Sequence, residues 1–392
     1  MKVLVLGGSG LQGRVAVWDL ARTPEVSEVV CADVNPAGLD SLGRFPGREK
    51  VRAEAFDASD RRALTVLLAQ GFDVAIDLLP SSYLGSVGEA AVEAGCDLVN
   101  TMYGHQMPPG IHDRAVRRDV TIVPEAGLDP GIDLVLCAHG VSQLDEVHEL
   151  HSYCGGIPEP PADGNALRYK ISWSWEGVLK SYSRPAVIVR DGEVIRIEAR
   201  DQHSPQWVGE LDLPGFGRLE VIPNGDAEFY ARLLGVAGTI RNTTRCTLRW
   251  PGHAAVWKPL VELGFVEDVP VPGLPGGISP RDFMVRHLGP RLQYGDGERD
   301  LVLMLVMVSG LRGGERVRLT YELADRRDLE TGFLAMTRTV GFAASAVAQM
   351  VATGQIAAAG LLTAVRDIPQ ARFLDEIRRR GIQIRESVQR LQ

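Results

Sequence analysis

Short apolar runs alternate with amphipathic stretches through the first third of the chain. Lys2 to Leu6 is a continuous apolar run that reads as a strand buried on both faces. A glycine cluster follows at Gly7, Gly8, Gly10 and Gly13, then a stretch that sets Val15, Val17, Leu20 and Ala21 on one side of a helix. A second apolar run, Val29 to Ala32, ends in Asp33. The rhythm continues. Val51 to Phe56 ends in Asp57, Phe72 to Leu79 is followed by Pro80, and Asp97 to Thr101 and Val120 to Pro124 complete six predicted strands. Strands alternating with helices predict a parallel, doubly wound sheet, whose ligands sit at the strand C-terminal ends. Those ends carry Gly8, Asp33, Leu79 and Pro80, Tyr103, and Glu125-Ala126-Gly127.

The pattern changes at Gly127-Leu128-Asp129-Pro130-Gly131. Pro130 suits the first turn of a new helix over Ile132 to His139, with Asp129 as its N-cap. Strands of another kind follow, punctuated by Gly and Pro: Glu146 to Cys154, Leu167 to Trp173, Val187 to Arg190 and Val194 to Glu198. Asp191-Gly192 between the last two is a hairpin signal. Thr244 to Trp250, Val302 to Gly310 and Arg316 to Leu323 read as further strands. Phe333 to Ala352 is rich in Ala and broken by Arg338 and Gln349, which predicts a buried helix rather than a membrane span. A charged, amphipathic stretch, Asp375 to Leu391, ends a helical tail. The expected fold is α/β. It comprises a Rossmann domain over 1–130 and a mixed α/β domain with a largely antiparallel sheet over 131–330. A helical segment over 331–392 packs back on the first domain. The middle domain is expected to bind substrate and to form a homodimer.

A chain of 392 residues holds about two or three domains. The net charge of −8 argues against nucleic-acid and anionic-membrane partners. Cysteines 31, 96, 137, 154 and 246 are scattered without a CxxC pair, which suits a reducing cytoplasm and argues against a disulfide scaffold or structural zinc. No export leader precedes the first predicted strand, so a cytoplasmic protein is expected. His148 and His151 lie on a strand without the HExxH spacing, so no metal site is expected.

The chemistry begins in Gly8-Ser9-Gly10-Leu11-Gln12-Gly13. Gly8 and Gly10 leave room for a pyrophosphate, Gly13 lets the helix pack close to the sheet, and the helix N-terminus favours phosphate. Asp33 follows Gly13 by 20 residues, where a carboxylate bonds both ribose hydroxyls. Gly7, Ser9, Leu11, Leu79 and Pro80 complete the expected pocket for NAD or a relative. Asp57 reads equally as an adenine-facing group or a helix cap. No tyrosine has a lysine four residues later, which argues against short-chain dehydrogenase catalysis. Substrate is expected between the two halves. Tyr103, His105, Glu125, Asp129, Cys154, Tyr169, Lys170 and Trp173 fall near that junction.

Four segments then stand out together: Glu125 to Asp133 (EAGLDPGID), Ser152 to Pro158 (SYCGGIP), Arg168 to Ser174 (RYKISWS) and Gly297 to Val302 (GERDLV). In this the chain resembles the saccharopine dehydrogenase family, specifically its glutamate-forming saccharopine reductase branch, with L-lysine 6-dehydrogenases as close relatives. The resemblance implies hydride transfer between a nicotinamide and a carbon bearing nitrogen. It assigns proton handling to Asp129, Cys154 and Tyr103, and a substrate wall to Trp173. Lys170 and Glu125 join the substrate site as neighbouring charged groups. The resemblance also implies a homodimer. Two departures stand against it. Asp33 occupies the place where NADP-using members lack an acid, which predicts NAD in preference to NADP. Where such reductases carry Pro-Asn-Arg-Asp, with an Arg for a substrate carboxylate, this chain has Pro223-Asn224-Gly225-Asp226. Arg245, with Arg241 and Arg249 as alternatives, is the expected replacement. The expected reaction interconverts saccharopine with glutamate and aminoadipate semialdehyde. Oxidation of lysine at its terminal amine and a catalytically silent nicotinamide sensor are the alternatives.

Overall fold

The computed structural model describes every residue except Leu274. The chain opens with β1 (Lys2–Leu6), α1 (Leu11–Arg22), β2 (Glu28–Asp33), β3 (Val51–Ala55), α2 (Arg61–Leu68), β4 (Val74–Asp77), α3 (Leu84–Ala94), β5 (Leu98–Asn100), α4 (Ile111–Arg117) and β6 (Thr121–Val123). It continues through α5 (Ile132–Val141), β7 (Glu146–Pro158), α6 (Trp175–Ser181), β8 (Ala186–Arg190), β9 (Glu193–Ile197), β10 (Gly209–Leu213), β11 (Gly217–Pro223), α7 (Ala227–Leu233), β12 (Asn242–Arg249), α8 (His253–Glu262) and α9 (Pro280–Leu288). It closes with β13 (Asp300–Arg312), β14 (Glu315–Arg326), α10 (Ala335–Ala352), β15 (Gly360–Leu361), α11 (Ala364–Asp367), α12 (Gln370–Arg379) and β16 (Ile384–Arg390). These elements form two compact units, residues 1–138 with 337–382, and residues 139–336 with 383–392.

The first unit is built on a seven-stranded parallel sheet in the order β15-β6-β5-β4-β1-β2-β3. Its direction of winding reverses between β1 and β4, which opens a crevice at their C-terminal ends. Val3 to Leu6 and Val29 to Cys31 are fully buried, as strands covered on both faces must be. Each such side chain contributes about 1.5–3 kcal/mol by leaving water. Residues 337–382 complete this unit. A Cβ on Gly341 of α10 would stand 2.7 Å from Val15 Cβ of α1, so the two helices pack closely. Arg380 Nε and Ser345 Oγ both donate to Asp19 Oδ2, at 2.8 and 2.6 Å.

The second unit carries a mixed sheet in the order β10-β11-β12-β7-β13-β14-β16, with β8 paired to β12 and β9 to β8. Only β12 and β7 run parallel; the other pairs are antiparallel. Asp191 (φ 54°) and Gly192 (φ 85°) form the two-residue turn between β8 and β9.

Three local expectations are corrected. Leu167 to Trp173 is not a strand. The Asn165 side chain takes the Leu167 N–H (3.0 Å) and donates to the Tyr169 carbonyl (2.8 Å), which bends the segment. Its apolar residues Tyr169 and Ile171 pack with α6, α8 and α9 instead of a ladder. The helix starts at Ile132, as expected, but this leaves Asp129 three residues before it rather than at its N-cap; the Gly131 N–H is taken by Asp133 Oδ1 at 2.9 Å. The tail is not helical to its end. Gly381, at φ 85°, terminates α12 in the left-handed conformation that suits glycine, and β16 then pairs antiparallel with β14.

Candidate functional site

In the first unit the glycine loop leaves β1 and enters α1. A Cβ on Gly13 would collide with the Gly7 carbonyl and stand 2.6 Å from Gly8 Cα. One on Gly8 would stand 2.5 Å from Cys31 Sγ. The loop is therefore a cradle that only glycine closes, lying at the α1 N-terminus, and its shape suits a dinucleotide pyrophosphate. Asp33, at the end of β2, accepts from Ser9 N (3.2 Å) and Asn35 N (2.9 Å), and Ser9 Oγ donates to the Asn35 carbonyl at 2.8 Å. The acid thus sits across the loop. Leu79 and Pro80 follow β4, and Leu79 N donates to Asp77 Oδ1 at 3.0 Å. Sequence reasoning missed Asp77. Burial pushes its carboxyl up to about 7, against the lowering effect of the Leu79 N–H. The signal was an acid inside the apolar run of β4.

Asp57 is exposed and takes the Ser59 N–H at 2.9 Å, which lowers its pKa. The cap of α2 is Asp60 instead, which accepts from Ala63 N. Tyr103 follows β5 and stacks on His105 at 5.4 Å between ring centroids. Glu125, only 2 % exposed, accepts from Gly104 N at 3.3 Å. Its φ of 60° is rare for a non-glycine residue and marks stored strain at the end of β6. Asp129 lies four residues further along and is half-buried.

In the second unit Cys154 and Arg245 lie on one face of the sheet. Side chains alternate along β12, so Arg245, Thr247 and Arg249 share a face. The register sets Arg245 opposite Ser152 and Thr247 opposite Cys154 of β7, and Cys154 opposite Met304 of β13. The opposite face is apolar: Ile157, Cys246, Leu248, Leu301 and Leu303 pack with Leu219 and Val221. Cys154 is 5 % exposed on the polar face. Arg245 is 6 % exposed, and its guanidinium lies 4.7 Å from the Tyr230 ring centroid. A Cβ on Gly225 would stand 3.7 Å from Arg245 Nη1. Arg245 therefore reaches the space that a side chain at position 225 would enter. Arg241 does not; it is exposed beside the β8–β9 turn, its Nη1 3.7 Å from the Cβ position of Gly192. The Lys170 ammonium is ion-paired with Glu298 and lies 5.8 Å from the Tyr294 ring centroid, so its charge is already engaged. Trp173 packs against the base of α6, 2.7 Å from the Cβ position of Gly177. Asp300, in the GERDLV segment, caps α10 by accepting from Ala335 N (2.7 Å) and Met336 N (2.9 Å). His148 pairs with Glu146, and His151 bonds Thr244 Oγ1. No group of three or more potential metal ligands occurs among the described residues. Among them, too, no helix is long and apolar enough to cross a membrane.

Comparison with known proteins places this architecture. Residues 3–123 match the family domain described as the saccharopine dehydrogenase NADP binding domain, and residues 127–382 match the saccharopine dehydrogenase C-terminal domain. The alpha-aminoadipic semialdehyde synthase of Arabidopsis thaliana is 31% identical over 58% of this chain and 22% of its own length. The chain spans about half, 47%, of the bovine mitochondrial protein of that name. The saccharopine dehydrogenase (NADP(+), L-glutamate-forming) of Schizosaccharomyces pombe is 25% identical over 99% of both chains. In fold, apo saccharopine dehydrogenase (L-Glu forming) from Saccharomyces cerevisiae gives a TM-score of 0.83 at 24% identity over 99% of each. With both domains matched in order along nearly its whole length, this chain belongs to the saccharopine dehydrogenase family.

Proposed function

We propose that this protein is a nicotinamide-dependent oxidoreductase acting at a CH–NH bond of an amino acid, and that saccharopine is its substrate. The observation that carries this reading is the end-to-end match to the S. pombe enzyme, 99% of each chain, together with a glycine cradle that only glycine closes. The first unit would hold the dinucleotide through the Gly8–Gly13 backbone, Asp33 and the Leu79–Pro80 segment. A bound nicotinamide supplies the hydride acceptor. The chain's own residues do the rest. Oxidation of the secondary amine to an imine releases a proton, and water then adds to the imine and expels glutamate. Both steps need groups that move protons. Asp129, Cys154 and Tyr103 are assigned to this work. Arg245 is assigned to a substrate carboxylate in place of the Arg absent at Gly225, with Trp173 as an apolar wall. Because Arg245 reaches the space beside Gly225, the missing Arg no longer favours lysine as substrate.

Asp33 supports NAD as the preferred cofactor. Its carboxylate would meet a 2′-phosphate with like charge, although the family description and the S. pombe relative's name carry NADP. A homodimer formed through the second unit and a cytoplasmic location complete the proposal; sedimentation of the purified protein checks the first. The test is a side-by-side assay of L-saccharopine and L-lysine, each with NAD and with NADP. Rapid NADH formation from saccharopine is expected, with kcat/KM at least about tenfold higher for NAD than for NADP. Turnover of lysine alone would overturn the substrate, a preference for NADP would overturn the cofactor, and tight NADH binding without turnover of either amine would favour a sensor.

A further inference from the structure

Buried polar side-chain atoms without a hydrogen-bond partner concentrate in one place in the second unit, around Arg249. They include Arg249 Nε, Tyr169 OH, Ser172 Oγ, Tyr294 OH and His253 Nδ1. Buried polar groups are nearly always paired, so such a concentration marks a missing ligand. Arg249 is 6 % exposed. Its guanidinium donates from Nη1 to the Leu248 carbonyl at 2.9 Å and to the neutral Tyr182 hydroxyl, and it has no ion-pair partner among the described residues. Neighbouring carboxylates are engaged elsewhere. Asp300 caps α10, Glu298 pairs with Lys170, and Glu220, opposite Arg249 in the register, accepts from Gly252 N and Ala254 N at 2.7 and 2.8 Å. A buried charge with no counter-charge is costly, and an anion relieves the cost.

The surroundings specify which anion. Tyr169 lies under the guanidinium, 5.5 Å from its ring centroid, and Ser172 Oγ stands 3.4 Å from the Cβ position of Gly156, two residues beyond Cys154. Tyr182 OH is bonded to His253 Nε2 at 2.8 Å. Burial keeps both phenols and the His253 imidazole neutral at neutral pH, leaving one permanent cation among neutral donors. A single carboxylate matches that charge and the planar guanidinium fork; a phosphate dianion would be left half-neutralised.

We propose that Arg249, with Tyr169 and Ser172, binds one carboxylate of the substrate, at a subsite separate from Arg245. This rests on the reading of the protein as an amino-acid oxidoreductase. Arg245 and Arg249 share a strand face roughly 13 Å apart along β12, so the substrate class is an amine carrying carboxylates at separated ends. Tyr169 and Ser172 ride on the segment between β7 and α6, which forms no strand ladder, so a carboxylate reaches Arg249 by displacing that segment rather than a strand.

Glutarate is the probe, with its neutral diamide as control. Binding is measured by calorimetry on the full chain, and thermal unfolding and NADH fluorescence report folding. The wild type is expected to bind glutarate and not the diamide. Arg249→Met should weaken glutarate at least about tenfold, and Tyr169→Phe about threefold, with NADH binding unchanged. If Arg249→Met fails to fold, Tyr169→Phe together with Ser172→Ala decides. Glutarate affinity within twofold of wild type in these variants, or no binding to the wild type at millimolar concentration, overturns the subsite. Arg249-dependent glutarate binding without saccharopine turnover would instead sink the enzymatic reading and leave the subsite standing.

Discussion

The glycine loop of the first unit and the polar sheet face of the second prepare for their ligands in opposite ways. The loop offers backbone. Its specificity is the absence of side chains at Gly8 and Gly13, and six consecutive residues contain it. The sheet face offers side chains, contributed by β7, β12 and the segment before α6, which are remote in sequence and brought together by strand register. The first kind of site tolerates no added atom; the second tolerates shape changes but not loss of charge. Substitutions should separate the two.

Gly13→Val is expected to have the largest effect. Its Cβ overlaps the Gly7 carbonyl, so the loop must open. NADH binding, followed by fluorescence, should fall more than about 100-fold, an effect of about 2.7 kcal/mol or more. Retained NADH affinity would mean that the loop is not the dinucleotide cradle.

Arg245→Met comes next and addresses the other kind of site. Losing a charge-assisted contact in a buried setting costs about 2–5 kcal/mol, so KM for saccharopine should rise by about 100-fold. NADH affinity should not change. A fall in NADH affinity with an unchanged KM would dissolve the distinction between the two sites.

The smallest effect concerns Asp77, beside the cradle. Burial raises its carboxyl from 3.8 to about 7, so the folded chain holds this proton more tightly than the unfolded chain. The resulting stabilisation is full below about pH 4 and is lost as pH rises through about 7. Asp77→Asn keeps an oxygen for the Leu79 N–H and removes the titration. At pH 8 the variant should melt about 2–5 °C above wild type, with the difference shrinking or reversing near pH 4. A melting difference independent of pH would show that Asp77 is not the titrating group.

The same contrast explains what was legible in the sequence. The strands of the parallel sheet were readable because strands covered on both faces are apolar throughout, and the glycine spacing located the cradle. Cys154 was singled out by the SYCGG segment, and Arg245 with Arg241 and Arg249 by the glycine that stands where an Arg was expected. Leu167 to Trp173 was misread because its apolar residues look strand-like, while Asn165 bends the backbone and the side chains pack against helices. The tail was misread because charge alternation in Arg385, Glu386 and Arg390 fits a helix and an edge strand equally well. Lys170 was read as an available cation because its partner, Glu298, lies 128 residues away. Arg249 was an alternative to Arg245, and only tertiary packing reveals that it is buried with no counter-ion among the described residues.

In the proposed function the cradle and the cationic face serve one reaction, oxidation of saccharopine. The most direct measurement is the initial rate of NADH formation from L-saccharopine and NAD, for the wild type and for Arg245→Met. Rapid, saturable turnover by the wild type is expected, with a loss in the variant that excess saccharopine largely restores. No turnover of saccharopine by a wild-type protein that binds NADH, or faster turnover of L-lysine, would contradict it.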